Sequence, residues 1–550
     1  MLKRRDATTT SQAGPPRAEG EAAPSSRRDR FAGPPPGDPQ CQTELTFIVE
    51  PAAFKALGAH PLLGGPARLR WGAQSSVCFD TEAGDLHRSG LLLQMRRARA
   101  RNVMSLTTDE GPVEVTAPGD APQIELLPPA ARGLVARLTA QQSLRPWFSW
   151  RIRRATRRVA YEGATIEVAF EEGEIAAEAG KAPIREISLR LKEGEPASLY
   201  RLGLQLADVC PLRLNVASRF DRGQALAKPA AAARARAPAF GADATLDAAI
   251  GDLLRRNLAH FLGNWLAVES GDSGEGVHQL RVALRRLRSL LALLRRAFPA
   301  AEVDLLRSEA KRIADAFGDA RDWRVFCEMV EDGPRRRLPQ LSGLADLVAL
   351  ADARAEAGRA AGAAELATRA TTRFVLALQV YICTRGWRNA AGEPQLRALG
   401  EPAAAFAAEA LERSFRRLRK RARGFAALSP EARHEMRIAL KRSRYAVDFF
   451  GSLFSPAEDV EAFSERASAL QDLLGAANDA VVAGRLIECV DISADSALAF
   501  AAGAVVGWCE RGGALDEATL RRGWRALRKA RRFWRAALPH KHAANPGGAA

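Results

Sequence analysis

Two rows of cations, each led by a histidine, are the residues of this chain best placed to do chemistry. They are His278, Arg281, Arg285 and Arg288 in VHQLRVALRRLRS, and His434, Arg437, Lys441 and Arg444 in RHEMRIALKRSRY. Both rows have offsets of 0, 3, 7 and 10. On a helix turning about 100° per residue these offsets fall within roughly an 80° arc, so each row projects from one stripe. Guanidinium forks grip phosphate oxygens in pairs, Lys adds a point charge and protonated His donates, so the chemistry is recognition of phosphates. Such contacts register charge spacing and no base identity. Leu280, Leu284, Leu287 and Leu291 occupy the adjoining arc and face the core, which puts the first stripe at the edge of a groove. Arg413, Arg416, Lys420 and Arg423 repeat the spacing just upstream of the second histidine and are expected to form the opposite wall.

A solvated helix face normally mixes signs through i,i+4 pairs. Here the segment from Gly276 to Ala301 holds six arginines and no acid, so an external anion is the economical counter-charge. Asp319, Asp322 and Asp479 read as caps or partners of nearby arginines rather than catalytic acids. The C-terminal RRGWRALRKARRFWR mixes Trp524, Phe533 and Trp534 with cations, but the aromatics recur at helical spacing and are assigned to the core. No Walker loop, nucleophile elbow or HExxH signature occurs.

The rows belong to an internal repeat whose copies begin about 156 residues apart, because FGDARD (Gly318, Asp322) and LGAAND (Gly475, Asp479) also match in order and distance. Ser429 is placed as an N-cap before Pro430 and Glu431, and Gly424 suits the C′ position of the helix before it. Helical hairpins are therefore predicted over about 401–452 and, by symmetry, 246–298. Each repeat has room for two more helices, giving two four-helix units about a pseudo-two-fold axis.

Upstream, residues 43 to about 225 carry short strand-like runs such as ELTFIVE, SLTT, RRVAY and TIEVAF, separated by Gly and Pro. The expected fold class is α+β in two domains, an antiparallel β-barrel at 41–226 and an all-α duplicated bundle at 245–538, its repeats at about 245–350 and 400–536. An Ala/Pro-rich linker is expected at 227–244, with disordered tails at 1–40 and 539–550. Arg27, Arg28 and Arg30 in the first tail should add little to binding. Lys and Arg outnumber Asp and Glu by 81 to 64, giving a net charge of +17 and favouring anionic partners. The seven cysteines form no C-x-x-C pair or framework spacing, which argues against a disulfide scaffold and a structural zinc site and leaves a reducing cytoplasm as the expectation. The basic N-terminus lacks an apolar segment after it, and no membrane span is expected.

VHQLRVALRRLRS with AFGDARDW, and LSPEARHEMRIALKRSRYAVDFF with LQDLLGAANDA, resemble the two halves of a CHAD domain, a helical module associated with polyphosphate. The resemblance implies that the eight row residues contribute to an anion-binding surface. The upstream half is similar to the CYTH domain, a tunnel-shaped antiparallel barrel that in active members hydrolyses triphosphates with Mg or Mn. That likeness rests on CQTELTFIVEPAAFKALGAHPLL, CFDTEAGDLHRSGLLLQMRR, IREISLRLKEG and ASRFDRG. Its opening E-x-E-x-K reads Gln42, Glu44 and Thr46 here, L-R-x-R reads Leu93, Gln94, Met95 and Arg96, and T-L-K reads Ser105, Leu106 and Thr107. The late acidic strand keeps Glu186 but has Ser188 and Arg190 where carboxylates belong. Glu44, Arg96 and Glu186 are thus remnants of a degenerate site. No catalytic residue, metal or cofactor is assigned, Mg or Mn being needed only if the domain is active. The expected function is binding or targeting to inorganic polyphosphate, in the cytoplasm or on polyphosphate granules. The alternatives are a metal-dependent inorganic triphosphatase and a nonspecific nucleic-acid binder, with no specific nucleic acid expected.

Overall fold

Alternation of apolar and polar residues builds the upstream half, and spacings of three and four build the rest. A computed structural model describes residues 43–538, apart from 67, 99–100, 109–110, 228–229, 242, 273, 299, 491–494 and 514–516. Gln42, Arg27, Arg28, Arg30 and both expected tails lie outside the described residues.

The first half contains β1 (Glu44–Ile48), α1 (Pro51–Gly58), β2 (Gly72–Asp80), α2 (Asp85–Arg88), β3 (Leu92–Ala98), β4 (Arg101–Thr108) and β5 (Gly111–Ala117). It continues through α3 (Pro129–Thr139), β6 (Arg145–Tyr161), β7 (Ala164–Ala177), β8 (Gly180–Glu193), α4 (Pro196–Val209), β9 (Arg213–Asn215) and α5 (Arg219–Ala227). The strands form one antiparallel sheet in the order β5-β4-β3-β2-β6-β7-β8-β1-β9. Glu162 and Gly163, at φ 43° and 74°, make the two-residue turn between β6 and β7. The expected barrel is corrected here, because β5 and β9 do not pair and the sheet stays open. One reason lies at β9, where the Thr372 hydroxyl donates to the Leu212 carbonyl at 2.9 Å and accepts from the Leu214 N–H at 3.0 Å. A helix residue thus takes backbone groups that a closing strand would use.

The second half contains α6 (Leu246–Gly263), α7 (Trp265–Glu269), α8 (Glu275–Ala297), α9 (Ala301–Ala316), α10 (Gly318–Val330), α11 (Leu344–Leu366) and α12 (Arg369–Cys383). Beyond α13 (Glu393–Gly400) follow α14 (Ala403–Arg421), α15 (Pro430–Phe450), α16 (Ala457–Glu488), α17 (Ser496–Gly513) and α18 (Glu517–Lys529). Both predicted hairpins are present, as α6 with α8 and α14 with α15. Ser429 caps α15 by accepting from Ala432 N–H at 3.3 Å, and Thr245 caps α6 in the same way from Ala248. Gly424 adopts φ 64° just beyond α14. Neither copy is the four-helix unit expected, and the copies differ: the first inserts α7 between α6 and α8 and breaks between α9 and α10 at Phe317, whereas α16 runs straight through Gly475, the match of Gly318.

Equivalent positions of the repeats also meet. Leu246 N–H donates to the Glu401 carbonyl and Ala403 N–H to the Ala244 carbonyl, both at 2.9 Å. Reciprocal bonds between the starts of α6 and α14 are what a local two-fold axis produces.

The halves share one apolar core. Leu45, Phe47, Ile187 and Leu189 cover one face of the sheet, α4 packs on them, and α12 packs on α4. A methyl added at Gly203 of α4 would lie 3.2 Å from Phe47 and 3.3 Å from Leu376, so glycine permits this three-layer contact. Asp208 pairs with Arg369 at 3.0 Å and with Arg373, and Arg213 with Glu269 at 2.5 Å across the same junction. The stretch read as a linker lies along the helical half, with Ala233 bonded through backbone N–H and C=O to the Asn264 amide.

Candidate functional site

Helix α8 buries Leu280, Leu284, Leu287 and Leu291, which turns the first row into the border of the core. His278, Arg281, Arg285 and Arg288 are all half-buried, as are Arg437, Lys441 and Arg444 on α15, while His434 is exposed. The two rows face each other across the pseudo-two-fold axis. Arg285 lies close enough to Arg437 and Lys441 to depress both their pKa values by charge repulsion.

Burial first, then neighbouring cations, lowers the Lys441 ammonium to about 8 and the Arg281 guanidinium to about 10. The same causes, burial and then Arg321 and Arg285, lower His278 to about 4. Among the described residues, the Nε atoms of Arg281, Arg285 and Arg437 are buried and find no acceptor. Buried donors left in this way cost stability unless something external satisfies them.

The expectation that the six arginines of α8 lack counter-charges needs correction for two of them. Arg286 pairs with Asp448 at 2.8 Å and stacks on Phe449, and Arg295 pairs with Asp304 at 2.9 Å. Acids from other helices reach them, which spacing along one helix cannot reveal. Arg281 donates to the Ala314 carbonyl at 2.6 Å. Arg285, Arg288 and Arg296 have no acidic side chain within ion-pair distance among the described residues.

The repeated aspartates serve the rows as partners. Asp322 contacts Arg485 at 3.4 Å and lies in the field of Arg281, while Asp479 lies in the field of Arg437 and Lys441. Each repeat thus sets its own Asp near its own second-position Arg.

The expected opposite wall divides. Arg413 pairs with Glu409 at 2.6 Å and, with Arg417, lies in the field of Arg296, which extends the basic groove. Lys420 is exposed on the crest of α14. Arg416 and Arg423 fall on the stripe of Glu412, which turns away toward the C-terminal segment through Glu412 bonds to Arg532 and Trp534.

On the sheet, the degenerate positions neutralise one another in register. Glu44 sits opposite Arg190 and pairs with it at 2.7 Å, and Thr46 sits opposite Ser188 with their hydroxyls 3.0 Å apart. Arg96 pairs with Glu114. Glu186 and Glu171 are opposite one another on β8 and β7, both buried. Glu171 is bound by Arg154 at 2.6 Å and by Arg219, and Glu186 by Arg222 and by the Asn215 amide at 3.1 Å. Arg219 and Arg222 come from α5, which lies on this face with Gly223 against the Phe148 ring. A divalent cation needs several free oxygen ligands, and these carboxylates are committed to arginines. The residues present do not fit Mg or Mn, and among the described residues no group of three or more His, Cys, Asp or Glu could hold a metal ion.

Residues 252–488 match the family model of the CHAD domain. The crystal structure of the CHAD domain from the plant Ricinus communis is 32% identical and covers 55% of this chain and 99% of its own, with a TM-score of 0.47. Residues 252–488 of this chain belong to the CHAD-domain family. A putative adenylyl cyclase from Hippeastrum, described as having a dominant triphosphatase activity, is 23% identical over 33% of this chain and 94% of its own, with a TM-score of 0.24. PptA from Streptomyces chartreusis is 16% identical over 51% of this chain and all of its own (100%), with a TM-score of 0.33. No curated protein matches the chain.

The groove of this CHAD domain also includes cations that row spacing missed. Arg442 and Arg307 lie in the field of Arg288, Arg417 in that of Arg442, and Arg321 in that of His278. Arg417 and Arg442 neighbour named rows and were findable by extending them. Arg307 and Arg321 come from α9 and α10, where no periodic row announces them.

Proposed function

We propose that the CHAD domain binds inorganic polyphosphate in the groove between α8 and α15. The supporting observation is the convergence of Arg281, Arg285, Arg437 and Lys441, one pair from each repeat, with buried guanidinium N–H groups that lack acceptors although Asp322 and Asp479 lie in their field. A chain of phosphates supplies closely spaced oxygens and negative charge without bases. Tyr445, the aromatic nearest the second row, is buried, which favours phosphate over a stacked base. The sheet domain, similar to CYTH, is read as a scaffold fixed to the first repeat, since its remaining carboxylates are held by arginines. The activity of a metal-dependent triphosphatase is not favoured by that arrangement. Among the described residues no helix is long and apolar enough to cross a membrane. A cytoplasmic location at polyphosphate is part of the proposal.

The pH dependence of binding tests the groove. Lys441 titrates at about 8 in the free protein, and bound phosphates stabilise its charged form and raise that value. Affinity for long-chain polyphosphate should therefore be level below pH 8 and fall above it, by up to about tenfold per pH unit, until the bound-state pKa is reached. Lys441→Arg should remove the fall, because a guanidinium stays charged there. A level wild-type profile to pH 10, in a titration calorimeter, would place Lys441 outside the site. His278, at about 4, is neutral near pH 7, so acid strengthening through it belongs to the range approaching pH 4.

A further inference from the structure

The second repeat carries another basic surface, on the side of α14 turned away from the groove. Glu412, Arg416, Arg419 and Arg423 are spaced 0, 4, 7 and 11, which puts them on one stripe. The direction of that stripe is fixed at its acid end, where Glu412 accepts from Trp534 Nε1 at 3.0 Å and from Arg532 at 3.3 Å. Near the other end, Phe425 stacks on Trp524 with ring centres 6.2 Å apart and planes inclined by 13°. These two contacts run the chain from Trp524 to Trp534 back along the span from Glu412 to Phe425, in the opposite direction. On α18, Arg521, Arg525 and Arg528 form a second stripe at 0, 4 and 7.

Arg416, Arg419, Arg423, Arg525 and Arg528 are exposed, and among the described residues none has an acidic side chain within ion-pair distance. The aromatics of this segment point the other way, since Trp524, Phe533 and Trp534 are all buried. The surface therefore offers charge without stacking platforms.

Comparison of the two repeats shows that this charge is not a by-product of the shared fold. Ala370, Thr371 and Arg373 at the start of α12 match Ala518, Thr519 and Arg521 of α18. On that alignment Ala377 and Val380, both packed against the core, stand where α18 has Arg525 and Arg528. Helix α12 is covered by α4 of the sheet domain, whereas the matching flank of α18 is open to solvent. Uncompensated like charges at i,i+3 and i,i+4 cost stability, so their concentration on the uncovered copy calls for an anionic occupant.

We propose that this α14–α18 surface is a second polyphosphate-binding surface, engaged by a chain long enough to extend beyond the α8–α15 groove. The assignment rests on the groove reading given above. Joining two surfaces by one polymer makes the second contact intramolecular and raises affinity without altering the first.

The test uses the full chain with Arg416→Gln, Arg419→Gln, Arg525→Gln and Arg528→Gln combined, and a second variant with the two α18 changes alone as a control against altered folding. Tripolyphosphate, long-chain polyphosphate and duplex DNA are titrated against each. The four-fold variant is expected to keep wild-type affinity for tripolyphosphate and to lose on the order of a hundredfold for the long chain, the two-fold variant less. Unchanged long-chain affinity, with a groove variant that does lose it, would overturn the second surface and leave the groove reading intact. Wild-type affinity in the groove variant would overturn both. A loss confined to DNA would show a nucleic acid as the occupant and overturn the proposal.

Discussion

Replacing Arg281, Arg285, Arg437 and Lys441 together by Gln is expected to weaken binding of long-chain polyphosphate by about a thousandfold at low salt. The magnitude follows from about 1 kcal/mol for each of four charge-assisted contacts after solvent screening. The slope of log affinity against log salt should flatten by roughly 3, at about 0.7 per phosphate no longer neutralised on a flexible chain. The fold should survive, because these side chains border the core and the leucines of α8 fill it. Fluorescence titration at several salt concentrations measures the slope, and an unchanged slope would remove these four residues from the site.

Glu171→Gln is expected to destabilise the folded chain by about 3 kcal/mol. The carboxylate is 0% exposed and faces Arg154 and Arg219, so its removal leaves two partly buried guanidiniums beside a neutral amide. Glu44→Gln should cost under about 1 kcal/mol, because the Glu44–Arg190 pair is open to solvent. Urea denaturation of the two variants separates these cases. A small loss for both would mean that α5 does not hold Glu171, and the argument that its carboxylate is unavailable to a metal would lapse.

The helical half was legible because two blocks, the histidine rows and the glycine-aspartate motifs, recur in order, and because Ser429 and Gly424 punctuate the second hairpin. What one helix cannot encode is which neighbours answer its charges. Asp448 neutralises Arg286 from 162 residues away, and the Glu412–Trp534 bond, across 122 residues, turns Arg416 and Arg423 from the groove. Strand positions in the first half followed from alternation, and the register placed the degenerate residues opposite one another. Closure did not follow, because it depends on Thr372, a residue of the other half, reaching the edge of β9. A linker between two domains was expected from the Ala/Pro-rich stretch near 227–244. The continuous contact from Phe47 through Gly203 to Leu376 depends on α4, whose role the linker composition does not reveal.

Competition between long-chain polyphosphate and duplex DNA for the full chain, at equal phosphate concentration and physiological salt, separates a polyphosphate groove from general basicity. Both polymers satisfy a merely basic protein, and the rows read charge spacing in a groove without accessible aromatics. Polyphosphate is expected to displace DNA at well below equimolar phosphate, and this preference to disappear in the variant lacking Arg281, Arg285, Arg437 and Lys441. Equal competition by the two polymers, or the same preference in that variant, would contradict a specific polyphosphate groove between α8 and α15.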